Sequence, residues 1–77
     1  MTNTWAMWSK EDLQYAAAVG LTVLAQRGST AFIQRNLGLG YNDAARLVER
    51  MEVEGILSKP SAVGKRDVLV GARGGNQ

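Results

Sequence analysis

Residues 29–55 read STAFIQRNLGLGYNDAARLVERMEVEG. Ser29 or Thr30 can cap a short helix, and Phe32, Ile33 and Leu37 give that helix an apolar inner face. Gly38 ends it and Gly40 follows two residues later, so LGLG is a tight turn. A longer helix is expected from about Tyr41 to Glu54. Ala44, Val48 and Met51 share one side of it, while Asn42, Asp43, Arg46, Glu49, Arg50 and Val53 spread over the other, an arc of roughly 120° at helical periodicity. Gly55 supplies the stop. Two helices joined by a glycine turn, the second with an outward polar face, predict a helix-turn-helix.

Upstream, Ser9 is a good N-cap and Asp12 stands where a capping box needs a carboxylate. The helix that starts there carries Leu13, Ala16, Ala17, Gly20 and Leu24 as an apolar stripe, expected to cover the inner faces of the other two helices. It should end near Gln26 or Arg27, with Gly28 as the stop. Residues 1–8 form an arm holding Trp5 and Trp8, read either as packing residues or as a docking surface for a partner or a second copy. Downstream, residues 56–58 and 67–70 are expected to be two short strands around turn chemistry at Pro60, Ser61 and Gly64. They would make a β-hairpin with a basic tip, followed by a frayed glycine-rich tail over 71–77. The expected fold is therefore a small α+β domain over residues 9–70. It is a winged helix-turn-helix with three helices and a two-stranded β-hairpin wing.

Composition narrows the chemistry. The chain has 77 residues, enough for one domain, and 45% of them are hydrophobic. It contains neither cysteine nor histidine, which removes disulfides, thiolate metal sites and the commonest general base. Asp43, Glu49, Glu52 and Glu54 lie around a single helix with no His or Cys beside them. No catalytic residue, metal site or cofactor is expected, and the protein is read as a non-enzyme. No run approaches the roughly 18 apolar residues of a membrane helix, and the start lacks a secretory pattern. The expected location is cytoplasmic, with no membrane partner.

The net charge is +2, and its distribution is uneven. Residues 56–77 carry Lys59, Lys65, Arg66 and Arg73 against Asp67, a net of +3. With the third helix in a major groove, such a hairpin would set Lys65 and Arg66 on phosphates. Other readings stand beside this one. Arg46 and Arg50 can reach bases and phosphates, or pair along the helix with Glu49 and Glu54. Asn42 can read adenine or cap the helix, Tyr41 is expected in the core, and Lys65 and Arg66 can be ordinary surface charges.

Residues 29–70 also resemble the gamma domain of the FtsK/SpoIIIE DNA translocases. The shared pattern is S-T-x-x-h-Q-R-x-L-x-h-G-Y-N-x-A-A-R-h-h-E-x-h-E-x-x-G-I, with h hydrophobic, and then a hairpin ending R-D/E-V-L. The stretch Gly40-Tyr41-Asn42-x-Ala44-Ala45-Arg46 is its most specific part. The resemblance implies a winged-helix domain that reads short G-rich sequences in double-stranded DNA, orients a translocase in chromosome segregation and contacts the XerD recombinase. It implies that Asn42 and Arg46 face base edges, with residue 43 beside them. Gln34, Arg35, Arg50 and the hairpin residues Lys65 and Arg66 would hold the backbone. The chain departs from the family pattern at Asn36, Gly38 and Asp43, where basic residues are common. Asp43 would favour a cytosine amino group over guanine acceptors. The alternative function is a protein-interaction module of the same fold, binding a recombinase, replication or defence protein with weak or no DNA binding. The chain has no G-x-x-x-x-G-K-S/T run and hence no P-loop motor. If the sequence is a whole protein it is read as a stand-alone module, nucleoid-associated in a bacterial or phage-infected cell and of a kind that a phage or other mobile element could carry; if it is a piece of a longer protein, the motor lies upstream.

Overall fold

The computed structural model describes residues 8–71. The arm residues 1–7, Trp5 among them, and tail residues 72–77 lie outside the described part. Three helices follow in order: α1 (Lys10–Ala25), α2 (Thr30–Leu37) and α3 (Tyr41–Val53).

Each helix starts and stops where local chemistry directs it. Ser9 caps α1 reciprocally, its hydroxyl accepting from the Asp12 N–H at 3.0 Å while the Asp12 carboxylate accepts from the Ser9 N–H at 3.4 Å. The helix ends at Ala25, just before the Gln26 or Arg27 expected as its last residue. Gln26, not Gly28, takes the left-handed conformation at φ 55°, which strains a residue with a Cβ. Its side-chain amide compensates by donating to the carbonyls of Val23 (2.9 Å) and Val70 (3.2 Å). Gly28 is needed for a different reason. A Cβ there would lie 2.4 Å from Cδ2 of buried Leu57, so the glycine lets the α1–α2 junction close onto the core. The Ser29 hydroxyl accepts from the Phe32 N–H to open α2, Gly38 at φ 66° closes it, and Gly40 occupies the N-cap of α3.

The core is formed by Tyr15, Ala18, Ile33, Ala44, Leu47, Val48, Met51 and Leu57, with Phe32, Leu37 and Val19 against it. Ala44, Val48 and Met51 face inward as the periodicity predicts. The expected α1 stripe does not. Leu13 is 42% exposed and Leu24 87%, and Ala16 and Ala17 are exposed as well. The face that packs inward is Tyr15, Ala18 and Thr22, with Val19 half-buried. Apolar residues surround α1, so periodicity alone does not select its buried side. Tyr41, expected in the core, is 62% exposed.

The expected two-stranded wing is absent among the described residues, and the domain is helical. Residues 56–70 form an irregular loop pinned by one isolated antiparallel bridge between Leu57 and Val68. Two backbone bonds flank that bridge, Ser58 N–H to Asp67 O at 2.9 Å and Leu69 N–H to Ile56 O at 2.8 Å. The reason is packing. Among the apolar residues past Ile56, Leu57 is buried and Val68 half-buried, while Val63, Leu69 and Val70 are exposed, so there is no repeated apolar inward face to stabilise a ladder. Pro60 also removes a backbone donor two residues after the first arm. At the other end, Gly71 does not begin as a free tail: a Cβ there would meet Val23 of α1 at 2.3 Å.

Candidate nucleic-acid interface

The outer surface of α3 is where the sequence-predicted residues converge. Asn42, Asp43, Arg46, Glu49 and Val53 are all exposed, opposite the buried Ala44, Leu47, Val48 and Met51. Gly40 caps the helix, so Asn42 sits inside the first turn rather than at the cap. Tyr41 stands exposed at the same end, a surface aromatic that sequence reasoning assigned to the core. Arg46 pairs with Asp43 one turn earlier, and both side chains remain more than half exposed. This pair covers part of the positive charge at the helix face while leaving it accessible to a partner.

Around that arc the predicted residues divide. Arg35 is exposed on α2 and, with half-buried Gln34, lines a shallow surface depression with Ala31, Gly38 and Leu39. Lys65 is exposed on the loop. Arg50 and Arg66 already have carboxylate partners. Arg66 is only 16% exposed and donates through Nη1 to Glu52 Oε1 at 2.6 Å and to the Ser58 carbonyl at 3.1 Å, fastening the loop to α3. Arg50 lies 3.9 Å over the Tyr15 ring and pairs with Glu54 at 3.3 Å and Asp12 at 3.5 Å, fastening α1 to α3. Sequence spacing showed the Arg50–Glu54 pair. The long-range partners Asp12, Tyr15 and Glu52 have no local sequence signal.

The Arg50 cluster shifts its neighbours' ionisation. Burial, then the Glu54 carboxylate accepting from its hydroxyl at 2.6 Å, push Tyr15 up to about 12. That same hydroxyl holds Glu54 below its ordinary value, with Arg50 adding to the effect. Asp12 is lowered chiefly by the Ser9 hydroxyl and backbone N–H, with Arg50 contributing less. Partial burial pulls Arg50 down, but Glu54, Asp12 and Tyr15 outweigh it and raise it.

Among the described residues no group of His, Cys, Asp or Glu is arranged to hold a metal ion, and no helix is long and apolar enough to cross a membrane. The arrangement instead provides a supported helix face. Buried packing fixes α3 against α2 across the glycine turn, and its polar arc faces outward.

A domain built this way is a small helical module in which a glycine turn joins two packed helices. The chain belongs to the FtsK gamma domain family, which it matches over residues 9–71. It is similar to the DNA translocase FtsK of Rhizobium meliloti, 50% identical over 56 residues that make up 73% of this chain and 6% of the relative. Its similarity to the Brucella melitensis DNA translocase FtsK is 48% over 59 residues, 77% of this chain and 7% of that protein. For the Rickettsia bellii DNA translocase FtsK it is 43% over 65 residues, 84% and 9% respectively. The chain thus spans less than a tenth of the length of these relatives.

Proposed function

We propose that this domain binds double-stranded DNA and reads its sequence through α3, without a catalytic step of its own. The observation that carries this reading is the exposed arc of α3, where Asn42, Asp43 and Arg46 stand clear of a fully apolar packed side. Membership of a domain family found in proteins named DNA translocases supports it. Asn42 and Arg46 face base edges, with Asp43 steering Arg46 and favouring cytosine amino groups. Gln34, Arg35 and Lys65 lie on the phosphates. Arg50 and Arg66 contribute charge from within their structural pairs. The biological setting is the bacterial chromosome, where such a domain directs a translocase.

A fluorescence-anisotropy titration with a random-sequence duplex pool at low and moderate salt, followed by sequencing of the bound fraction, tests this. The expected outcome is salt-dependent binding with an enriched motif, and Arg46→Ala weakening binding to that motif by about 1–3 kcal/mol. Absence of binding at low salt overturns the reading. Asp43→Arg separates two roles for the carboxylate: stronger, less selective binding means that Asp43 restrains DNA affinity, and loss of the motif means that it reads a base.

A second reading, a protein-interaction module for a recombinase or another protein, is favoured by one observation. Leu13 and Leu24 are exposed apolar side chains on α1.

A further inference from the structure

A cleft of about 230 Å³ opens between the α1–α2 junction and the C-terminal loop, lined by Arg27, Gly28, Ser29, Gly64, Lys65 and Arg66 along with Gln26. None of these lining residues is acidic. Arg27 is 38 or more positions from the Lys65–Arg66 pair in sequence, and the fold brings the three cations to one opening. We propose that this cleft is a seat for a backbone phosphodiester of the DNA duplex, with Arg27 as a contact residue. The proposal rests on the DNA-binding reading above.

Four features fit an oligoanion at this place. First, the Arg27 guanidinium lies 5.0 Å over the Phe32 ring, which holds its plane while leaving its N–H edges available for phosphate oxygens. Second, Lys65 is exposed, lines the same opening and adds a point charge on a flexible stem. Third, Arg66 is half-buried, with Nη1 committed to Glu52 and the Ser58 carbonyl, so its charge is largely balanced. Its role is to fix the cleft relative to α3, so that a phosphate held here is in register with the helix that faces the bases. Fourth, Gly64 is at φ 82° with open space around it, so no side chain narrows the opening at that point.

The start of α2 adds to this cationic setting. Ser29 takes the Phe32 N–H onto its own hydroxyl oxygen, while the amides of Thr30 and Ala31 belong to the first turn and have no intrahelical acceptor. Its hydroxyl hydrogen is free to donate outward, since that bond uses the oxygen as acceptor. Phosphate contacts of this type position a protein on the duplex without reading sequence. Arg27 therefore acts on affinity and salt dependence, and not on base preference.

The test uses the whole chain and the duplex pool above, with log affinity measured against log salt for wild type, Arg27→Gln, Arg27→Lys and Lys65→Gln. Helical circular dichroism of each variant is recorded alongside. Arg27→Gln is expected to lose about one unit of salt slope and to weaken all duplexes by a common factor, leaving the enriched motif unchanged. Arg27→Lys is expected to restore the slope, because a point charge still releases the counterion. In a parallel ¹⁵N experiment, the Ser29, Thr30 and Ala31 amides should shift on duplex addition. A wild type that binds DNA while Arg27→Gln keeps its full slope and those amides stay still overturns this inference alone. A wild type that binds no duplex at low salt overturns the DNA reading and this inference together.

Discussion

Helices α1 and α3 bury side chains in the same core and divide their surfaces in opposite ways. On α3, Ala44, Leu47, Val48 and Met51 are buried, while the outer arc is polar except for Val53. On α1 the buried residues are Tyr15, Ala18 and Thr22, while Leu13, Ala16, Ala17 and Leu24 remain exposed. A helix with one apolar side has one way to pack. A helix that is apolar nearly all round has several, and long-range contacts choose among them. For α1 those contacts are made by polar groups: the Tyr15 hydroxyl on Glu54, and Arg50 over the Tyr15 ring.

The largest expected effect tests that division directly. Met51→Ala on the inner side of α3 removes a fully buried side chain and should cost about 2–5 kcal/mol in denaturant unfolding. Leu24→Ala on α1 should stay within about 0.5 kcal/mol, although leucine is the more hydrophobic-looking position in the sequence. A Leu24→Ala cost comparable to that of Met51→Ala would mean that the exposed α1 face is covered in solution.

That pair of variants also explains which parts of the fold were legible. The α2–turn–α3 unit could be read from residues 29–55 because its signals are local: Ser29 as cap, Gly38 and Gly40 as punctuation, and a clean apolar stripe on α3. The α1 face could not, because the correct stripe and the incorrect one are both apolar. The wing was expected from the β-branched run at 67–70, but strand formation depends on partners across the chain, and only the Leu57–Val68 bridge forms. In the candidate interface, Asn42, Asp43 and Arg46 were accessible to periodicity. The half-buried state of Arg50 and Arg66 was not, since it depends on Asp12, Tyr15 and Glu52 arriving from other elements.

The junction after α1 offers the next effect in size. Gly28→Ala would force a Cβ against Leu57 Cδ2, and Leu57 is 1% exposed with little room to swing away. The expected cost is about 1–3 kcal/mol, typical of overpacking, again measured by denaturant unfolding. An unchanged midpoint would show that the junction yields and that Gly28 is not a packing requirement.

Thr22 offers a gain instead. It lies in the buried face of α1, completely inaccessible, and its hydroxyl is without a hydrogen-bond partner. Replacing it with valine keeps the shape and removes an unpaired polar group, so Thr22→Val should stabilise the domain by about 1 kcal/mol. A loss of stability would show that the hydroxyl is satisfied in solution. This substitution moves α1 further towards the uniformly apolar character that separates it from α3.

The smallest expected effect concerns the polar seam that selects the α1 face. Asp12 and Glu54 are depressed in the folded state, so their contribution is present above the ordinary carboxylate range near about 4 and is lost as pH falls through the lower folded values. Tyr15 is raised to about 12, so its contribution is present below its ordinary value of about 10 and is lost as pH rises through the folded one. Thermal unfolding across acid and alkaline pH should therefore show a decline on both limbs, shallow because the carboxylates are solvent-screened. Glu54→Gln can still accept from the Tyr15 hydroxyl but carries no charge for Arg50. It should flatten the acid limb and make the alkaline decline smaller, because Tyr15 without the Glu54 charge titrates closer to its ordinary value and less stability is lost above pH 10. Identical profiles for wild type and Glu54→Gln would mean that apolar packing alone orients α1. The contrast between the two helices would then have to come from Tyr15 and Ala18 rather than from the charges that cross to α3.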